Sequence, residues 1–161
     1  METTEFYSGC ALREVDDSGR LTLPGFVTRV LGQGCEGRAV TFGGHEHDSC
    51  LTAYGPPHRR ALHREVERRR LLGEARGESS RGHHCRARRV FGLAEDADYD
   101  ESGRVVLPSM MRSKGGIGQL ALFVGAGGTF EIWNPDTAKE SGDADLRELA
   151  EFHLAAQRPL Q

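Results

Sequence analysis

Long hydrophobic runs are missing from this sequence. No stretch approaches the roughly 18 consecutive apolar residues that a membrane-spanning helix needs. The opening METTEFYSGC has neither a basic start nor an apolar core, so it does not read as a secretory leader. Paired CxxC spacing is absent as well; the four cysteines, Cys10, Cys35, Cys50 and Cys85, stand apart and are expected as reduced thiols. A soluble cytoplasmic protein is the expectation. A net charge of -3 excludes a broad basic surface, and lysine is almost lacking, since 19 of the 21 cations are arginine. Arginine favours planar, bidentate contacts to phosphate or carboxylate. There is also no GxSxG, no P-loop and no GxGxxG after a strand, which speaks against an enzyme.

The charge that is present is unevenly placed. Residues 57–90 hold eleven Arg against four Glu, which leaves about -10 for the remainder, and five acids crowd into EDADYDE at 95–101. Such a split predicts an anionic partner met by a restricted surface. Glycine is plentiful at 21 residues while hydrophobic residues make up 37%, a balance that predicts turns and short strands around a modest core. Self-association would help to stabilise a chain of this kind.

One stretch occurs twice. Residues 15–24 read VDDSGRLTLP and residues 99–108 read YDESGRVVLP, with six of ten positions identical. An acid, a Ser and a Gly between two alternating apolar runs signal a hairpin turn. Gly19 and Gly103 are the residues able to take positive φ there. Asp16 and Asp100 can accept the turn's own N–H groups and so orient the loop, and Arg20 and Arg104 leave its end in a fixed direction.

Each copy continues in the same way. After Pro24 and Pro108, GFVTRVLG and SMMRSKGG read as short helices; RAVTFG with CLTAY, and LALFVG with TFEIW, then read as pairs of strands. A further strand is expected from Arg88 to Leu93. The intervening HRRALHREVERRRLL (58–72) reads as an arginine-laced helix with i,i+4 Glu–Arg pairs, and 73–84 reads as a loop. After Pro135, a helix capped by Asp143 is expected, with Leu146, Leu149, Ala150 and Leu154 on one face.

The organisation read from this pattern is a first repeat at 6–57, a basic helical connector at 58–84, a second repeat at 85–136 and a C-terminal helix and tail at 137–161. Neither half can bury its apolar strand faces alone. The fold class expected is α+β, with the two halves interleaved into one pseudo-two-fold β-barrel core that presents both arginine turns on the same side.

The paired DDSGR (16–20) and DESGR (100–104), with CLTAY at 50–54 and LFVGAGGTFEIW at 122–133, resemble the MraZ family of SpoVT-AbrB-like transcriptional regulators of the division and cell-wall gene cluster. The resemblance covers roughly residues 6–136. It implies swapped-hairpin folding, ring-like homo-oligomers and sequence-specific binding to DNA direct repeats upstream of the protein's own operon. Repression and a nucleoid location would follow, with Arg20 and Arg104 facing the DNA. Arg13, Arg29, Arg112 and Lys114 are candidate phosphate contacts. The aligned GFVTRV lacks the arginine spacing that SMMR keeps at 109–112.

Other readings are weaker. HEHDSC (45–50) and HHC (83–85) gather zinc-type ligands, but without a standard finger spacing, so no metal and no cofactor are expected. A protein-binding module of the same fold, of antitoxin type, is the remaining alternative, because fold does not fix function.

Overall fold

The computed structural model describes residues 6–33 and 37–157. The reading of Cys35, and the leader reading for residues 1–5, fall outside that range. Eight strands and six helices are present among the described residues: β1 (Cys10–Glu14), β2 (Arg20–Thr22), α1 (Gly25–Leu31), β3 (Ala39–Gly44), β4 (Leu51–Tyr54), α2 (Pro56–Ala75), α3 (Arg81–Ala87), β5 (Glu95–Asp98), β6 (Arg104–Val106), α4 (Ser109–Lys114), β7 (Leu120–Gly125), β8 (Phe130–Trp133), α5 (Pro135–Lys139) and α6 (Ala144–Gln157). The fold is α+β and its sheets are antiparallel throughout.

Six strands form one sheet in the order β1-β7-β8-β4-β3-β5, and β2 pairs with β6 as a separate two-stranded ribbon. Exchanging β1–β4 for β5–β8 reverses this order onto itself. The barrel expected from the sequence does not close: β1 and β5 remain the two edges of an open sheet. The reason lies in strand length, since β2 and β6 have three residues each and pair only with one another. The local hairpin expected around each DxSG turn is also replaced. The turn forms, but β1 ladders with β7 and β2 with β6, so each arm finds its partner in the other copy.

Strand alternation explains the layering. Ala121 and Phe123 of β7, Phe130 and Ile132 of β8, and Leu51 and Ala53 of β4 enter the main core. There they meet Leu21, Val105, Val27 and Met111 from the ribbon, α1 and α4. The alternate residues Leu122 and Trp133 point to the opposite face, beside Cys50, where Ala138 of α5 and Leu146 and Ala150 of α6 cover them. Asp143 caps α6 by accepting from the Asp145 and Leu146 amides at 2.9 and 3.2 Å. Leu146 and Ala150 are buried as expected, while Leu149 and Leu154 are only half-buried.

Three readings along the chain are corrected. Pro56 and Pro57 open α2 instead of closing the preceding unit, as suits residues with no N–H to leave unsatisfied. Helix then runs to Ala75 and resumes over Arg81–Ala87, through much of the expected loop. The strand expected at Arg88–Leu93 is a π-helical turn over Arg88–Gly92. The strand lies further on, at Glu95–Asp98, inside the acidic run. It forms because β3 offers its free edge, with Val40 opposite Ala97 and Thr41 opposite Asp96. The Asp96 carboxylate accepts from Thr41 Oγ1 at 2.7 Å and from the Arg59 guanidinium of α2.

Candidate nucleic-acid interface

The two DxSG turns are built alike. Asp16 Oδ1 accepts the Ser18 and Arg20 amides, both at 2.9 Å, and the Gly19 amide donates to the Asp16 carbonyl at 3.0 Å. Asp100 Oδ1 likewise accepts the Ser102 and Arg104 amides at 2.9 Å, and the Gly103 amide donates to the Asp100 carbonyl at 2.9 Å. Gly19 (φ 86°) and Gly103 (φ 83°) take the left-handed conformation that closes each turn. Each turn is then stitched to the other copy: the Leu107 amide donates to the Gly19 carbonyl and the Leu23 amide to the Gly103 carbonyl, both at 2.8 Å.

The ribbon decides where the arginines point. Its register sets Arg20 opposite Val106, Leu21 opposite Val105 and Thr22 opposite Arg104. Leu21 and Val105 are buried, so the outward face consists of Arg20, Thr22, Arg104 and Val106, with the two arginines on a diagonal. A groove beside this face is lined by Arg13, Arg20, Thr22 and Arg104, together with Glu14, Asp16, Asp17 and Gln157 at the end of α6. Three cations and three acids thus share it. The groove's claim on an anion comes from geometry, not net charge.

The flanking cations separate. Arg13 joins the groove, and its guanidinium also donates to the Leu12 carbonyl at 3.2 Å. Arg29 is exposed on α1, and the Lys114 stem crosses Gly44 of β3. Arg112, a candidate phosphate contact in the sequence, is engaged within the chain. Its guanidinium donates to the carbonyls of Asp16, Asp17, Ile117 and Gly118 at 3.0–3.2 Å.

Three of the connector's arginines, Arg68, Arg69 and Arg70, pair with its own acids. Glu65 takes Arg68 and Arg69, and Arg70 takes Glu67 and Glu74. The two guanidinium groups hold the Glu65 carboxyl down to about 2. Arg69 also reaches Glu46 at 3.0 Å, and this hydrogen bond, ahead of Arg69's charge, keeps the Glu46 carboxyl below its usual range.

Metal-type ligands do gather at His45, Cys50 and Glu131, whose ligand atoms lie within 4.8 Å of one another. The hydrogen bonds give this cluster another reading. His45 Nδ1 accepts the His47 and Asp48 amides at 3.1 and 3.0 Å, so the ring proton resides on Nε2 and faces Glu131 Oε2 at 3.0 Å. Glu131 Oε1 in turn accepts from Trp133 Nε1 at 2.9 Å. A ligating Nε2 would call for the opposite tautomer, so the trio ties the β3–β4 loop to β8.

No protein-family model matches the chain. Individual relatives do. It is 30% identical over 142 residues to the Transcriptional regulator MraZ of Thioalkalivibrio sulfidiphilus, covering 88% of this chain and 89% of that one. It is 30% identical over 152 residues to that of Nitrosococcus oceani (89% and 97%), and 29% over 138 residues to that of Rhodospirillum rubrum (84% and 83%). An α+β chain matched nearly end to end by such relatives is a transcriptional regulator by class. The chain belongs to the MraZ family.

Proposed function

We propose that the protein is a sequence-specific DNA-binding repressor of the cell-division and cell-wall gene cluster. It acts as a nucleoid-associated homo-oligomer, most simply a ring, on direct repeats upstream of its own operon. In this reading residues 6–57 and 85–136 are two SpoVT-AbrB-like repeats with swapped hairpins, joined by 58–84, and Arg20 and Arg104 read bases. The observation that carries it is the ribbon, whose outward face sets both motif arginines on one diagonal. A two-stranded ribbon fits the major groove, and arginine pairs bidentately with guanine. Diagonal neighbours across a ladder lie roughly 7–8 Å apart, about two base-pair steps at ~3.4 Å each.

A groove with balanced charges supports only weak binding by one subunit, so repeated sites and repeated subunits should act together. The test is titration of DNA from upstream of the gene, against scrambled DNA, at several salt concentrations. Arg20→Ala and Arg104→Ala should each cost about 1–3 kcal/mol of discrimination per contact and leave the assembly intact. Wild-type affinity should fall with rising salt. Undiminished selectivity in both variants would overturn the base-reading role. Selective capture of another protein, with no DNA preference, would favour the antitoxin-like alternative.

A further inference from the structure

The two turns match in every internal hydrogen bond, yet what stands behind them differs. Behind the first, Arg112 of α4 spans from the Asp16 and Asp17 carbonyls to those of Ile117 and Gly118. The position four residues beyond the proline in the first copy is Thr28 of α1. Its hydroxyl turns back to the Gly25 carbonyl of its own helix at 3.3 Å. The second turn faces an open cleft of about 1000 Å³ lined by Thr28, Gly32, Asp100, Glu101 and Gly103. Among the described residues, a loose ion pair between Arg38 and Glu101, 3.8 Å apart with both side chains exposed, spans it.

We infer that Arg112 is a positioning residue for Arg20, and that the two DNA-reading turns are therefore unequal. The Asp16–Arg20 turn is braced and discriminating; the Asp100–Arg104 turn, standing over Thr28, is adaptable. This rests on the proposed reading of DNA by both arginines. Four hydrogen bonds from one planar group fix the turn carbonyls against the α4–β7 loop, and lysine, with a single ammonium, cannot reproduce that fork.

Amide hydrogen exchange in the free protein tests the brace without DNA. The Ser18, Gly19 and Arg20 amides should exchange at least about tenfold more slowly than those of Ser102, Gly103 and Arg104, the factor carried by roughly one net hydrogen bond. Arg112→Ala and Arg112→Lys should both erase the difference, and Thr28→Arg should slow the second turn instead. On upstream DNA, both Arg112 variants should lose about tenfold in discrimination, while Thr28→Arg should sharpen it. Equal exchange at the two turns of the wild type, or full discrimination in Arg112→Lys, would overturn the inference; the latter result would make Arg112 a simple charge toward phosphate. A wild-type protein with no DNA selectivity would sink the proposed function, while the exchange contrast would still decide the brace.

Discussion

Gly19 shows how much one residue carries here. A Cβ at this position would sit 2.9 Å from the Leu107 carbonyl oxygen, besides having to adopt φ 86°. At Gly103 the nearest atoms to such a Cβ, Thr28 Cγ2 and the Leu23 carbonyl, are 3.4 and 3.5 Å away. Both alanine variants meet left-handed backbone strain of about 1–3 kcal/mol, but only Gly19→Ala also forces the stitch to Leu107 apart. Urea denaturation should therefore show both variants destabilised and Gly19→Ala the more so; equal losses would mean that the crowding at Leu107 relaxes freely. The aspartate–glycine geometry was legible in the sequence because every bond of it lies within four residues. Arg112 was not, since its turn partners Asp16 and Asp17 lie 96 and 95 positions earlier.

Among the elements, β5 departs furthest from expectation. Its four residues include three acids, and a sequence pattern built on apolar alternation gives no reason to expect a strand there. The strand forms at the rim of the sheet, where charge also discourages edge-to-edge association. The Arg59 hydrogen bond, and next the one from Thr41, hold the Asp96 carboxyl below the usual carboxylate range. A carboxyl depressed on folding adds stability above its unfolded value, and that stability is lost as pH falls through the folded one. The Asp96 side chain is 58% exposed, so the pair is worth less than about 1 kcal/mol. Asp96→Asn should lower stability slightly at pH 7, and the gap should close below about pH 4. A gap of the same size at pH 3 would point to lost packing instead of lost charge. The β3–β4 and β7–β8 hairpins, by contrast, were readable because each pairs neighbours in sequence.

For the molecule as a whole, the α+β class was evident in the sequence, but the open sheet was not. Whether six strands close depends on partners more than a hundred residues apart, as with Cys10 and Val124. The layering makes a chemical prediction. Burial pushes the Cys10 thiol up to about 11. Burial, and after it the charges of Glu131 and Asp48, raises that of Cys50 well above its ordinary value. Cys85, on α3, is exposed. Among these three thiols, alkylation of the native protein followed by peptide mapping should modify Cys85 first, Cys10 more slowly and Cys50 only on global unfolding. Labelling of Cys50 as fast as Cys85 would mean that α5 and α6 do not stay seated on the sheet.

The interleaving also sets a timetable. β1 has its ladder partner in β7, and β2 has its partner in β6, so half of the first repeat's strands emerge from the ribosome with nothing to pair against. The β3–β4 hairpin and α1 can form early, but they must wait for residues up to Ile132 before the core is sealed. Contacts of such long sequence separation slow folding. Until they form, the waiting strands are as complementary to the second half of a neighbouring nascent copy as to their own.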